Sequence, residues 1–451
     1  MATQSPSRRY GQLYRLAVIG LLLIVLAIAG GASRYDEDQQ MIARLAAIIA
    51  LAATMWPLDL AAVRREKPLL LMLGCGWLLV LLQLIPLPPA LWAALPGHDV
   101  YARIAELSGT VHWRPLSLTP DLTINALTGL LPATAAAAAA LYLDGRSRIR
   151  LGWGVLAIAA ASAILGLVQL AVGGDALHFY RESSQNAPVG PFANRNHQAV
   201  LMACALPLLG ALVALRLRGG ARFGPTVGLA AVTAALMLFA LVSTGSRMGL
   251  VLAVIGIAGA LLCWRAAGCR IMPRTLRHRA IAAASVIVTG SLIVLAAWRS
   301  GAVDRLVHTD ATETRATIFA PLIETARAFM PFGAGFGSFD SVYRRFEPDA
   351  LLSAIYLNQA HNEPLQLAIE GGVPALVLLA AFLWWWQRTA CGVMVARESV
   401  TRRTFGIAAI VITTILMASS LVDYPLRTPL LGSLFAFASV SMLRAARNGR
   451  P

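Results

Sequence analysis

The sequence predicts an all-α, polytopic integral membrane protein with about twelve transmembrane helices and one large outward loop domain between spans nine and ten. Three observations carry that reading. Hydrophobic residues make up 58% of the chain and charged residues only 13%, whereas a soluble domain carries about 25% charged residues. The apolar residues fall in runs of about twenty, the length that crosses a bilayer core. The net charge of +16 comes almost wholly from arginine, spread in short clusters between those runs. A nucleic-acid-binding chain would gather such charge on one face or tail.

In chain order the expected spans are 16–33, 41–63, 68–87, 122–143, 151–172, 197–217, 225–244, 248–264, 280–298, 362–386, 404–422 and 428–443. The first lacks a small-residue cleavage site and reads as a span rather than a removed signal. The second carries Arg44 and Asp59 near its ends, which blurs its boundaries. With the N-terminus inside, alternate connections hold 24 of the 38 basic residues against three acids, Glu66, Asp144 and Glu398. That asymmetry obeys the positive-inside rule and puts both termini in the cytoplasm. The chain then divides into residues 1–298 with nine spans, the loop 299–361 facing the periplasm of a bacterial inner membrane, and residues 362–451 with three spans and a tail. Smaller outward segments fall at 88–121 and 173–196. The first has Trp92 and Trp113 suited to the interfacial aromatic belt, and it is equally a surface-lying linker. The five cysteines show neither metal-like spacing nor a disulfide framework.

Four outward motifs stand out. Asn194-Arg195-Asn196-His197 opens the sixth span, where free N–H groups and the positive dipole end favour an anion. A helix cap by Asn194 or Asn196 beside an interfacial arginine accounts for the same residues. Ser243-Thr244-Gly245-Ser246-Arg247 separates two spans with almost no loop, leaving Arg247 at the boundary among small residues. It either snorkels or binds a ligand. Gly333, Gly335 and Gly337 let backbone approach another element closely, or simply turn the loop back to the membrane. They do not form a phosphate loop, because no Gly-Lys-Ser/Thr follows.

His361 closes the large loop, with Pro364 suited to the first turn of the tenth span and Glu370 nine residues on, facing a broadly similar direction. A neutral imidazole there can take a proton from a hydroxyl; a structural histidine at a membrane boundary is the alternative. No second histidine or cysteine stands at metal-ligand spacing, and nothing calls for a cofactor.

These motifs, in their order, with the Arg315 region and Asp423-Tyr424-Pro425-Leu426-Arg427, resemble the O-antigen ligase and polymerase superfamily. The resemblance covers roughly 110–435. It implies a metal-independent, inverting glycosyltransferase without cofactors. Such an enzyme moves a glycan from undecaprenyl pyrophosphate to an acceptor hydroxyl, on lipid A core or on another lipid-linked glycan. In that frame His361 matches the essential base, Arg247 and Arg315 match the pyrophosphate arginines, and Arg195 is a further phosphate contact. Asn194, Asn196 and Glu370 support the site, and Asp423 and Arg427 form a structural pair. The resemblance leaves ligase, polymerase and protein glycosylase open. A secondary transporter or flippase shares the twelve-span layout but calls for ionisable residues at mid-membrane, where this chain is apolar.

Overall fold

The computed structural model describes residues 6–55, 67–173, 175, 177–269, 290, 310–352, 357–396 and 399–447. In chain order the helices are α1 (Pro6–Ala29), α2 (Gln39–Met55), α3 (Lys67–Leu82), α4 (Pro89–Ala93), α5 (Asp99–Leu107), α6 (Pro120–Gly129), α7 (Leu131–Tyr142) and α8 (Gly145–Val172). They continue with α9 (Arg195–Arg218), α10 (Phe223–Ser243), α11 (Arg247–Ala266), α12 (Asp310–Ala328), α13 (Phe339–Tyr343), α14 (Glu363–Val395), α15 (Val400–Ser419) and α16 (Pro429–Ala446). Among the described residues nine stretches are long and apolar enough to cross a membrane, and α2 and α3 are shorter apolar helices. The expected ninth span, 280–298, apart from residue 290, and the start of the large loop, 299–309, lie outside the described residues, as do Asp59 and the end of the second span.

Three details depart from the expected spans. The stretch 122–143 is two helices, α6 and α7, that meet at Leu130. The span expected at 362–386 continues to Val395. The span expected at 68–87 ends as a helix at Leu82, and Pro86–Leu87 (β1) instead pairs antiparallel with Arg114–Pro115 (β2), closing a small hairpin around α4 and α5. Trp92 is its buried centre, donating from Nε1 to Pro115 O at 2.7 Å beneath the Arg114 guanidinium.

α9 is the post of the bundle, with almost every side chain from His197 to Ala214 buried. Between lipid-immersed helices the hydrophobic effect is weak, so close approach of small residues has to supply the attraction. α11 is spaced for that purpose. A Cβ at Gly249 would come within 2.7 Å of Ala199 Cβ, and one at Gly256 within 2.6 Å of Ala203 O. The same contact brings the start of α11, and Arg247 with it, to the level of the start of α9. α15 and α16 complete the core, and α14 lies against α16.

Candidate functional site

Three helices begin on one face, each with a side-chain cap. Asn194 Oδ1 accepts from Asn196 N at 2.8 Å, Ser246 Oγ from Gly249 N at 3.1 Å, and Asn362 Oδ1 from Leu365 N at 2.9 Å. The anticipated cap by Asn194 is thus present, and Pro364 lies in the first turn of α14. Helix starts carry partial positive charge, so this face favours anions. The turn after α15 is stitched to the start of α14: Glu363 N donates to Ser420 O at 2.8 Å and Asn362 Nδ2 to Leu421 O at 2.9 Å.

At the centre of the face is Asp423, 2% exposed. Its Oδ2 accepts from Asn196 Nδ2 at 2.7 Å and from Asn194 Nδ2 at 3.3 Å, and its Oδ1 accepts from Tyr424 N at 2.9 Å. Two imidazoles also approach Oδ1, His361 Nδ1 at 3.3 Å and His197 Nε2 at 3.8 Å. The first lacks the alignment and the second the closeness of a full hydrogen bond, so each acts chiefly through charge when the ring is protonated. Burial alone would push the Asp423 carboxyl up; the approach of His361 and the charges of both imidazoles outweigh it and hold the group well below the ordinary carboxylate range.

The His361 ring is fixed from both sides. Its backbone has φ 48°, the left-handed region. Ala360 N before it donates to Gln366 Oε1 at 2.9 Å, and the Asn362 cap follows it. Its ring meets Tyr424 edge-on at 4.9 Å, and the side chain stays 33% exposed. With Nδ1 buried toward Asp423, the open part of the ring is the Nε2 side. A ring oriented by a carboxylate on one nitrogen and open on the other can accept a proton from a hydroxyl and hold the resulting charge.

Beside this group lies a second polar cluster. Arg427 donates from Nε to Glu363 Oε2 and from Nη2 to Glu370 Oε2, both at 3.2 Å. Gln366 Nε2 supports Glu370 Oε1 at 3.1 Å. Burial would lower the Arg427 guanidinium, but the two carboxylates raise it well above its ordinary value. The expected Asp423–Arg427 pair does not form. The short 3₁₀ turn Pro425–Arg427 separates the two side chains, and each takes different partners. Glu370 and His361 likewise belong to adjoining clusters rather than to one.

Glu370 sits where α14 is interrupted at Gly372, φ 59° and ψ −151°. The interruption frees two carbonyls, and the glycine run takes them. Ala334 N donates to Ile369 O at 2.9 Å and Gly335 N to Glu370 O at 3.0 Å, while Gln83 Nε2 adds a bond to Glu370 O at 2.9 Å. A Cβ at Gly333 would come within 2.5 Å of Glu370 O and one at Gly335 within 2.2 Å of Ser117 Oγ. Close approach is therefore what the run provides.

Arg195 is the first residue of α9, half-buried, with its N–H on Ser184 Oγ at 3.3 Å. Arg247 is the first residue of α11 and half-buried. Arg315 lies within α12, and its side chain is outside the described residues. His197, Tyr424, Glu363 and Gln366 join the site without having been assigned a role. His197 stood inside a quoted motif, and its position next to Asn196 was the available signal.

The stretch from α10 through the loop to the middle of α14 is where the chain is similar to a known family. Residues 232–380 match the O-antigen ligase family. The match takes in Arg247, Arg315, the glycine run, His361 and Glu370, and it bears out the resemblance drawn from the motifs. Asn194, Arg195, Asn196, Asp423 and Arg427 lie outside the O-antigen ligase stretch and reach it only in three dimensions. No curated protein matches the chain.

Proposed function

We propose that this protein is a membrane glycosyltransferase of the O-antigen ligase type. It would move a preassembled glycan from undecaprenyl pyrophosphate to an acceptor hydroxyl on the periplasmic face of a bacterial inner membrane, with both termini cytoplasmic. The observation that carries the reading is the pair of His361, inside the matched stretch, with Asp423, outside it, set among three helix starts. In the reaction the acceptor oxygen attacks the anomeric carbon and the bond from that carbon to the pyrophosphate oxygen breaks, inverting the centre. The acceptor proton goes to His361, whose new charge faces Asp423. The leaving pyrophosphate takes up the bonding pair. Arg247 and Arg315, with Arg195, would meet its charge, since a guanidinium fork matches phosphate oxygens and supplies fixed charge without a metal. Lipid A core is the proposed acceptor, and Asn194, Asn196, Glu370 and Arg427 would keep the base and its neighbours in place.

The test uses purified protein in detergent, undecaprenyl-pyrophosphate-linked oligosaccharide, EDTA, and either lipid A core or donor alone. Release of undecaprenyl pyrophosphate with a larger lipid A product is the expected result. A ladder growing on donor alone would assign a polymerase of O-antigen or exopolysaccharide units. No turnover, with movement of the donor across liposomes, would replace the transferase reading with a flippase.

A further inference from the structure

Arg44 occupies the second turn of α2, a helix otherwise almost wholly apolar. The chain entering α2 lies on the His361 face: Leu430 N donates to Gly30 O at 3.0 Å and Gln39 Nε2 to Phe179 O at 3.0 Å. Arg44 is therefore at about headgroup depth on that face, with Ile42 and Leu45 exposed to either side. Its Nη2 donates to Asn125 Oδ1 of α6 at 2.6 Å, and its Nε is buried without an acceptor. No carboxylate pairs with it among the described residues; Asp121, one turn before Asn125, is exposed and makes no ion pair with it.

A guanidinium in an apolar helix without a countercharge is costly, and such groups face a partner or a ligand. A snorkelling arginine would put all its donors in water; here Nε is shut in. The surroundings say what kind of ligand fits. α2 packs on α7, α3 packs on α6 and α14, and α2 and α3 share no packed interface among the described residues. The Arg44–Asn125 pair thus sits at a seam whose exposed side chains, including Ile42, Leu45 and Ile124, are those of a lipid-facing surface. An anion reaching it arrives on a lipid. Phosphate oxygens are the acceptors that match the free edge of a guanidinium in two-point geometry.

We propose that Arg44 and Asn125 form a binding site for the phosphate of a membrane-borne lipid. It is distinct from the arginines assigned to the pyrophosphate, and its occupant is a bilayer phospholipid, lipid A or undecaprenyl phosphate. The site does not depend on the transferase reading, because its test needs no turnover. Full-length protein in detergent is exposed in turn to phosphatidylglycerol, lipid A, undecaprenyl phosphate and, as a phosphate-free control, diacylglycerol, and bound lipid is counted by native mass spectrometry. The expected result is retention of at least one phosphorylated lipid and not of diacylglycerol, and the lipid held most strongly identifies the source. Arg44→Leu should lower that retention by roughly tenfold, and Arg44→Lys, which keeps the charge without the fork, by less. Asn125→Asp keeps the arginine satisfied from within the fold and should also displace the lipid. Equal retention by wild type, Arg44→Leu and Asn125→Asp would overturn the proposal, as would diacylglycerol held as strongly as the phospholipids.

Discussion

Asp423 and the Glu363–Glu370 pair are both buried carboxylate sites anchored on one short turn, yet they are built in opposite ways. Around Arg427 the charges close on themselves: one guanidinium spans two carboxylates, and Gln366 covers an oxygen of Glu370. Around Asp423 neutral amides and a backbone N–H fill the carboxylate, and the charge that would balance it belongs to imidazoles, which carry it only while they hold a second proton. The first arrangement suits a clamp. The second suits a group whose partner changes charge during a reaction. The difference teaches which buried acid to test for chemistry and which for stability.

The comparison breaks first if His361 is dispensable. His361→Ala should reduce transfer by roughly a thousandfold or more while expression and thermal stability hold, measured as released undecaprenyl pyrophosphate. Arg247→Ala should also abolish transfer in that assay, and retained activity would remove its assignment. Asp423→Asn should cost less, roughly a hundredfold, with an altered pH profile, because the amide cannot balance an imidazolium. An unchanged profile would return Asp423 to a structural role.

Arg427→Ala sharpens the other side. Glu363 and Glu370 would be left buried without their countercharge, a loss of about 3–5 kcal/mol that should appear as a large drop in detergent unfolding temperature. Activity per folded molecule should fall far less than in His361→Ala. The smallest effect is in the acid dependence of stability. Asp423 is held below its unfolded value, so the stability it contributes is present above the ordinary carboxylate range and is lost as pH falls through its folded value. The unfolding temperatures of wild type and Asp423→Asn should therefore differ above the ordinary carboxylate range, and the gap should narrow below about pH 4. A gap that widens in acid would mean that burial, rather than the imidazoles, dominates the carboxyl.

The helices were legible because long apolar runs leave few alternatives in a chain this poor in charge, and helix starts were legible from Asn194 and Pro364; the Ser246 cap was not read. The site was legible as a set of motifs but not as a wiring. Asn196 and Asp423 stand 227 residues apart, and spacing along the chain says nothing of their contact. For the same reason Asp423 was matched to its near neighbour Arg427, when the 3₁₀ turn between them sends each elsewhere. The interruption at Gly372 was invisible to hydropathy, which averages over side chains and does not register a backbone torsion. Arg44 looked like a blurred boundary because its partner, Asn125, lies on a helix further along the chain.

The interruption in α14 has a consequence for protein engineering. Since the glycine run completes the backbone bonding of a membrane helix, and Gln83 and Ser117 fit against the same joint, the connection before α14 cannot be exchanged between relatives as a cassette. A chimera that swaps residues 330–340 alone would import glycines shaped for another scaffold's partners. One that carries residues 83–117 and 363–373 along with them keeps the joint intact, because it moves the interruption at Gly372 together with the groups that bond to it.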